Sequence, residues 1–340
     1  MRKINFLDCT LRDGAHVVSG NFGKKNILNV ISKLTMANID VIEIGFLKTT
    51  EYHPDKIFYP KIENAYALLE ETGSFEENNN SMYAVMARAD EYNIAELSPS
   101  DGRIKLIRVA FYADFLKGGI DFVKKAMKLG YLCSINLINT PGSSLQELKE
   151  FIRQVNEITP FAVSIVDTFG VMSLSELKSI VELYDTHLNP GINLGLHVHE
   201  NLSLSFPMAQ IFIEMTQGHR SVILDGSLMG IGRAPGNLCT ELAIHYLNEK
   251  INGKYNTDLI LSAISESIRP FKKKFRWGYA PEFYLSAKHR VHRSYAEYLE
   301  KNGISLDKID LILGEIDADQ SKKYNKDYVV NLAIERGFRI

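Results

Sequence analysis

Asn5-Phe6-Leu7-Asp8-Cys9-Thr10-Leu11-Arg12-Asp13-Gly14-Ala15-His16 passes from apolar to charged within one short stretch. Ile4, Phe6 and Leu7 read as the start of a buried strand. The strand stops at Arg-Asp-Gly, where glycine permits a tight turn or a close backbone approach to a ligand. Asp8, Arg12, Asp13 and His16 therefore crowd one strand end. A folded chain tolerates such a cluster when its charges are paired, metal-bound or catalytic. Taken alone, a salt-bridged first turn explains it equally well.

A second cluster shifts that balance. Gly195-Leu196-His197-Val198-His199-Glu200-Asn201 follows the run Ile192-Asn193-Leu194. Residues i and i+2 of a strand face the same side, so His197 and His199 point together. Two imidazoles at that spacing suit a divalent metal, and Asp13 would complete a facial set with open positions. Satisfied core polarity is the plainer explanation for a histidine pair, but the Arg-Asp-Gly segment favours the metal.

Working outward, short apolar runs alternate with amphipathic stretches. Strands are expected at Ile4–Asp8, Val41–Phe46, Met82–Met86, Ile104–Phe111, Leu132–Ile138, Ala162–Asp167, Ile192–His199 and Ser221–Leu224. Helices are clearest at Lys24–Met36, Leu116–Leu129, Ser144–Glu157, Ser173–His187 and Ser203–Thr216. Ser144 with Glu147, and Ser173 with Glu176, form capping boxes. Eight alternating units imply a parallel sheet closed into a (β/α)8 TIM barrel, an α/β fold. A doubly wound open sheet competes less well, since no Gly-rich phosphate turn follows the first strand.

The 340 residues exceed the roughly 250 of such a barrel. Residues 1–255 are expected to form the catalytic barrel and residues 256–340 a mainly helical C-terminal extension. A net charge of -2 makes no electrostatic case for nucleic acid or an anionic membrane. The Lys272-Lys273-Lys274 run reads as a solvated helix face. Cys9, Cys133 and Cys239 lack metal-type spacing and read as reduced core thiols of a cytoplasmic protein. Met1–Asn5 leads straight into a strand, so no signal peptide is expected, and no run approaches the roughly 18 apolar residues of a membrane span.

A barrel places its chemistry at the C-terminal ends of its strands. Glu43 and Gly45, Arg108 and Tyr112, Asn136 and Asn139, Asp167 and Thr168, and Asp225 and Ser227 all fall there. Of these, Glu43, Arg108, Asn136, Asp167 and Thr168 are candidate substrate-binding residues. Beyond the last strand, Gly230-Ile231-Gly232-Arg233-Ala234-Pro235-Gly236-Asn237 delivers Asn237 to a helix start, as an N-cap or as an oxygen ligand for a hard metal. Trp277-Gly278-Tyr279-Ala280-Pro281-Glu282-Phe283-Tyr284 is an aromatic knot that can roof a site, cover a dimer surface or simply pack. Glu76-Glu77-Asn78-Asn79-Asn80 reads as an exposed loop.

Asp8–Gly14, His197-Val198-His199 and Gly232–Asn237 together resemble the DRE-TIM metallolyase superfamily of isopropylmalate synthase, homocitrate synthase, hydroxymethylglutaryl-CoA lyase and 4-hydroxy-2-oxovalerate aldolase. The resemblance spans roughly residues 4–285 and implies a (β/α)8 barrel holding a divalent ion, Mn²⁺ first, with Mg²⁺, Co²⁺ or Zn²⁺ as the others. It implies Asp13, His197 and His199 as metal ligands with Asn237 as a fourth, and Arg12 as the group stabilising an enolate. A histidine three residues after the metal aspartate, His16, resembles the catalytic base of the hydroxy-oxovalerate aldolases, as does Asn201-Leu202-Ser203-Leu204. Those aldolases use a tyrosine in a Gly-Tyr-Ala context, making Tyr279 and Tyr284 candidates. Asp167-Thr168-Phe169-Gly170 departs from their smaller Ser/Gly-rich segment.

The expectation is thus a metal-dependent aldolase joining a pyruvate-like 2-oxo acid to an aldehyde. The partners that go with it are those small molecules, a second copy of the chain in a homodimer, and a dehydrogenase subunit. An acyl-CoA Claisen synthase or lyase is the alternative enzyme, although the large regulatory domain of isopropylmalate synthases is missing. A non-catalytic metal-binding scaffold is the third reading, and intact Arg12 and His16 argue against it.

Overall fold

The computed structural model describes residues 3–73, 80–216, 220–251 and 253–338. Residues 76–79 of the polar run lie outside them. Among the described residues nine strands follow in order: β1 (Ile4–Asp8), β2 (Val41–Leu47), β3 (Phe58–Tyr59), β4 (Met82–Arg88), β5 (Leu106–Phe111), β6 (Leu132–Leu137), β7 (Ala162–Asp167), β8 (Asn193–Val198) and β9 (Val222–Gly226). All pair in parallel in the order β1-β9-β8-β7-β6-β5-β4-β2, and β1 also pairs with β2 through Leu7↔Val41 and Asp8↔Ile42. That last pairing closes an eight-stranded barrel. The short β3, not anticipated from the sequence, lies outside the closure on the edge of β2, with Phe58 opposite Phe46.

Helices α1 (Thr10–Val18), α2 (Lys24–Met36), α3 (Ile62–Thr72), α4 (Leu116–Lys128), α5 (Leu145–Ile158), α6 (Leu174–His187), α7 (Ser205–Met215) and α8 (Thr240–Lys250) connect the strands, with α1 and α2 both between β1 and β2 and only the short turn Ile94–Glu96 between β4 and β5. Both expected capping boxes are present: the Ser144 and Ser173 hydroxyls accept from the Glu147 and Glu176 amides. One local expectation is corrected. The chain does not turn at Arg-Asp-Gly; it enters α1, with Arg12, Asp13 and His16 on its turns. Gly14 is a packing glycine there, since a methyl group would stand 2.8 Å from the Phe22 ring and 3.3 Å from Ile231.

Alternation along the strands explains how the barrel changes character from bottom to top. Leu7, Val41, Ala84, Leu106, Ala162 and Ile223 form a buried apolar layer. Two residues further along the same strands come Glu43, Arg108, Ser164 and Asp225, all buried and polar. A period of two keeps both sets inside the barrel, so the polar layer faces the C-terminal mouth.

One continuous apolar core runs from Phe6 to Trp277 and includes Tyr255, Ile260, Ala263 and Ile268. A second core gathers Leu285, Tyr295, Leu299, Ile312 and Val329. The packing changes from one core to the other between Trp277 and Leu285, and the helix Thr257–Ala263 closes over α2. Among the described residues, no helix is long and apolar enough to cross a membrane.

Candidate active site

Asp13 on α1 and the two histidines at the end of β8 converge at the barrel mouth. Asp13 Oδ2 lies 3.9 Å from His197 Nε2 and 3.8 Å from His199 Nε2, and the imidazole rings are 5.0 Å apart and nearly perpendicular. All three residues are buried. His199 Nδ1 is 2.9 Å from the Asp167 carbonyl oxygen, which can only accept, so this nitrogen carries the proton. His197 Nδ1 is likewise 3.2 Å from the Asp225 carboxylate. Each bare Nε2 lone pair is thereby aimed at the Asp13 oxygen.

Among the described residues no donor answers those lone pairs. Asp13 Oδ2 is buried without a hydrogen-bond partner, and so is Asn237 Oδ1. The Asn237 amide nitrogen faces the Ser227 hydroxyl at 3.3 Å and the Ile231 carbonyl at 3.4 Å, which turns its oxygen away from them. Both side chains border the space over Gly232, where a methyl group would stand 2.3 Å from Asn237 Nδ2 and 2.7 Å from Asp13 Oδ2. Converging acceptors without a donor repel each other and are costly to bury. A divalent cation relieves both costs, and the mixed nitrogen and oxygen set suits one. Asn237 is not an N-cap, since α8 begins at Thr240 with Cys239 in the capping position. It instead bridges His199 through the backbone.

Beneath this set runs a buried chain of alternating charge. Arg12 Nη1 donates to Asp13 Oδ1 at 2.7 Å, and Arg12 Nε donates to Glu43 Oε2, also at 2.7 Å. Arg108 Nη1 donates to the same Glu43 oxygen at 2.9 Å, while Arg108 Nη2 reaches Asn136 Oδ1 at 3.0 Å and the Asp225 carboxylate. Asp225 in turn holds His197. The chain thus leads from one candidate ligand, Asp13, to another, His197, through five barrel elements. Burial opposes the ionised form of Asp13, but Arg12, with both histidines near it, outweighs burial and holds the carboxyl well below the usual range. Burial, with His197 alongside, pushes His199 down to about 3, which keeps its imidazole neutral and able to ligate.

Above these residues opens a cavity of about 310 Å³, lined among others by Arg12, Asp13, His16, Phe46, Arg108, Asn136, Thr168, His197, His199 and Arg233. His16 stands at its edge, 38 % exposed, edge-on to Phe46 and 3.8 Å from Asp13 Oδ1. Desolvation and the neighbouring Arg233 guanidinium lower its pKa, leaving a neutral base.

Not every residue singled out in the sequence reaches the cavity. Glu43 lies beneath Arg12 and Arg108. The Asp167 carboxylate accepts from the Val171 and Met172 amides at 3.0 Å each, so this residue serves His199 through its carbonyl and does not line the cavity. Tyr279 and Tyr284 are 58 % and 43 % exposed and are not among the lining residues. The extension nevertheless docks on the barrel mouth. Trp277 donates to the Met229 carbonyl at 2.8 Å, Asn201 donates to the Phe283 carbonyl at 3.1 Å, and His292 packs on Phe169. Asp225 and Arg233 received no role from the sequence. Asp225 was signalled by its strand-end position; Arg233 sits in a loop with no periodicity to read.

The HMGL-like family model matches residues 3–267. A curated relative from Geobacillus thermodenitrificans, named 4-hydroxy-2-oxovalerate aldolase, is 24% identical over 76% of this chain and 73% of its own length. Among solved structures, the carboxyl transferase domain Y628A of Rhizobium etli pyruvate carboxylase with pyruvate superposes with a TM-score of 0.72 at 14% identity, covering 100% of this chain and 63% of that one. Hydroxymethylglutaryl-CoA lyase from Pseudomonas aeruginosa gives 0.59 at 16% identity, over 78% and 91% of the two chains. Likeness at such identity speaks for the fold.

Proposed function

The chain belongs to the HMGL-like family, and from that premise we propose that it is a divalent-metal-dependent aldolase. It makes or cleaves the carbon–carbon bond between a pyruvate-like 2-oxo acid and an aldehyde. The observation that carries this reading is the convergence of Asp13, His197 and His199 beside Arg12 and His16 in a cavity of about 310 Å³, at the small end for ligand pockets. Relatives named 4-hydroxy-2-oxovalerate aldolase support it.

Asp13, His197 and His199, with Asn237 as a fourth, would hold the ion. When bound, a divalent cation supplies Lewis-acid polarisation of the 2-oxo group. Arg12 is fixed by Glu43 and Asp13, and its charge offsets the negative charge that develops on the enolate oxygen. His16, neutral and at the cavity edge, takes or returns the proton of the aldol hydroxyl. In the forward direction C3 of the 2-oxo acid bonds to the aldehyde carbon. The carbonyl π pair moves to the aldehyde oxygen, and the proton lost at C3 is balanced by the one gained there. Thr168, Asn136 and Arg108 line the cavity and orient substrate. Glu43 and Asp167 act beneath it, and Tyr279 or Tyr284 would take part only if the extension rearranged.

The reading extends to Mn²⁺ as the working ion, a cytoplasmic homodimer, and a dehydrogenase subunit that receives the aldehyde; sedimentation and co-purification test the assembly. The test of function is an aldehyde screen with pyruvate and Mn²⁺, read by product mass. Acetyl-CoA with 2-oxo acids, read by thiol release, is the arm in which a Claisen enzyme would score instead. Thiol release without any aldol product sinks the proposal.

A further inference from the structure

The cations facing the cavity are not equally answered. Arg12 has Glu43 and Asp13, Arg108 has Glu43 and Asp225, and Arg88 has Asp90 and Glu91. Arg233 has no carboxylate partner among the described residues. Among the described residues its guanidinium makes no ion pair or hydrogen bond, and its Nε is buried without a partner. The groups near enough to feel its charge are His16, His292 and Arg293. Arg293 compounds the excess: it is 8 % exposed, its own Nε is also buried without a partner, and its one ion pair, to Glu297, spans 3.4 Å. Lys48, also lining the cavity though solvent-exposed, rests over the Phe58 ring and likewise meets no carboxylate among the described residues. Arg293 is buried and Arg233 partly so, and like charges with unspent buried donors are costly unless an anion joins them.

A pyruvate-like donor brings one carboxylate, which leaves this excess unanswered if the aldehyde is neutral. Arg233 also lines the cavity with His16, the residue placed at the oxygen of the incoming aldehyde, and its charge acts on that imidazole. We propose that the acceptor aldehyde carries an anionic group, a carboxylate or a phosphate, which Arg233 binds in the cavity with Arg293 reinforcing its charge from the C-terminal extension. The assignment rests on the aldolase reading and narrows its substrate class. Arg233 is then a specificity-determining residue, and the extension contributes to the site through charge.

The test uses the full chain loaded with Mn²⁺, pyruvate, and two matched pairs of aldehydes: butanal against succinate semialdehyde, and glyceraldehyde against glyceraldehyde 3-phosphate. The expected result is a kcat/KM preference of about 10-fold or more for the charged member of at least one pair, the worth of one charged hydrogen bond. The favoured pair identifies carboxylate or phosphate. Arg233→Met should collapse the preference towards one, and Arg233→Lys should retain part of it. Solvent exchange of the pyruvate methyl protons, followed by NMR, is measured alongside. Exchange with no preference for either charged aldehyde overturns the acceptor assignment and leaves the aldolase reading standing. A preference that survives Arg233→Met, or an Arg233→Met defect confined to the pyruvate KM, overturns the role of Arg233. Absence of both exchange and addition overturns the aldolase reading, and this inference falls with it.

Discussion

The Asp225 carboxylate stands 3.2 Å from His197 Nδ1 and also receives the buried Arg108 guanidinium. One residue therefore fixes the tautomer of a candidate ligand and ties it to the charge chain that ends at Asp13. Partners behind a metal-ligating histidine typically carry 10- to 100-fold of metal affinity, roughly. Asp225→Ala should weaken Mn²⁺ binding by about that factor, measured by calorimetry on chelator-treated protein. His197→Ala should lose the ion altogether in a metal assay. Unchanged metal content in His197→Ala would return this histidine to a packing role.

Gly232→Ala is a narrower probe of the same centre. The added methyl would enter the space between Asn237 Nδ2 and Asp13 Oδ2, at 2.3 and 2.7 Å. Because the glycine lies in a loop at the mouth, the barrel should keep its circular dichroism while metal affinity falls by at least about 10-fold. Wild-type affinity in this variant would remove Asn237 from the ligand set.

Arg12 and His16 should separate by step. Arg12→Ala should suppress both pyruvate methyl-proton exchange and aldol turnover. It also strips a buried partner from Glu43, so a stability loss of about 3–5 kcal/mol should accompany it in denaturant titration. His16→Ala should cost aldol turnover roughly 10²–10⁴-fold and exchange much less. Metal content must be checked in each variant, since both residues adjoin Asp13. Full aldol activity in metal-loaded His16→Ala would refute the base assignment.

The exposed tyrosines make a contrasting case. Tyr279→Phe and Tyr284→Phe remove hydroxyls that lie outside the cavity, so each should change kcat by no more than about 2-fold, the scale of ordinary surface substitutions. A loss of 10²-fold or more in either, characteristic of a positioned acid or base, would show that the extension moves over the site during turnover.

His292 gives the pH prediction. Burial, with Arg233 and Arg293 near it, pushes its pKa down to about 3, and the Ser294 amide donates to its Nδ1 at 3.2 Å. The folded chain therefore binds fewer protons here than the unfolded chain between about pH 6.5 and 3. Stability from this site is present above 6.5 and is lost as the pH falls through that window. His292→Gln removes the term, so variant stability should gain on wild type by up to about 1.4 kcal/mol per pH unit of acidification. Parallel stability curves between pH 4 and 7 would show that His292 is protonated in the folded chain.

The barrel was legible in the sequence because its cause is local and repeated. Eight apolar runs alternating with amphipathic ones admit few parallel-sheet solutions, and all eight strands occur near their expected places. His197 and His199 were legible for the same reason, since a period of two puts them on one face wherever the strand lies. Their meeting with Asp13 needed only the rule that a barrel gathers its strand ends. What lay beyond the sequence was whatever depends on the third direction. Gly14 reads as a turn until Phe22 and Ile231 are seen packed against it in a helix. Asp167 reads as a strand-end acid until its carboxylate is found capping Val171 and Met172, with only its carbonyl serving His199. Tyr279 sits in the expected sequence context, yet the docking of Trp277 and Phe283 leaves it in solvent. Asp225 acquires meaning through Arg108, 117 residues away in the chain, and Arg233 through His16 and Arg293, brought near by barrel closure and docking of the extension. Local periodicity sets which way a side chain faces; only closure of the barrel and docking of the extension decide which charges are answered and which are left for a ligand.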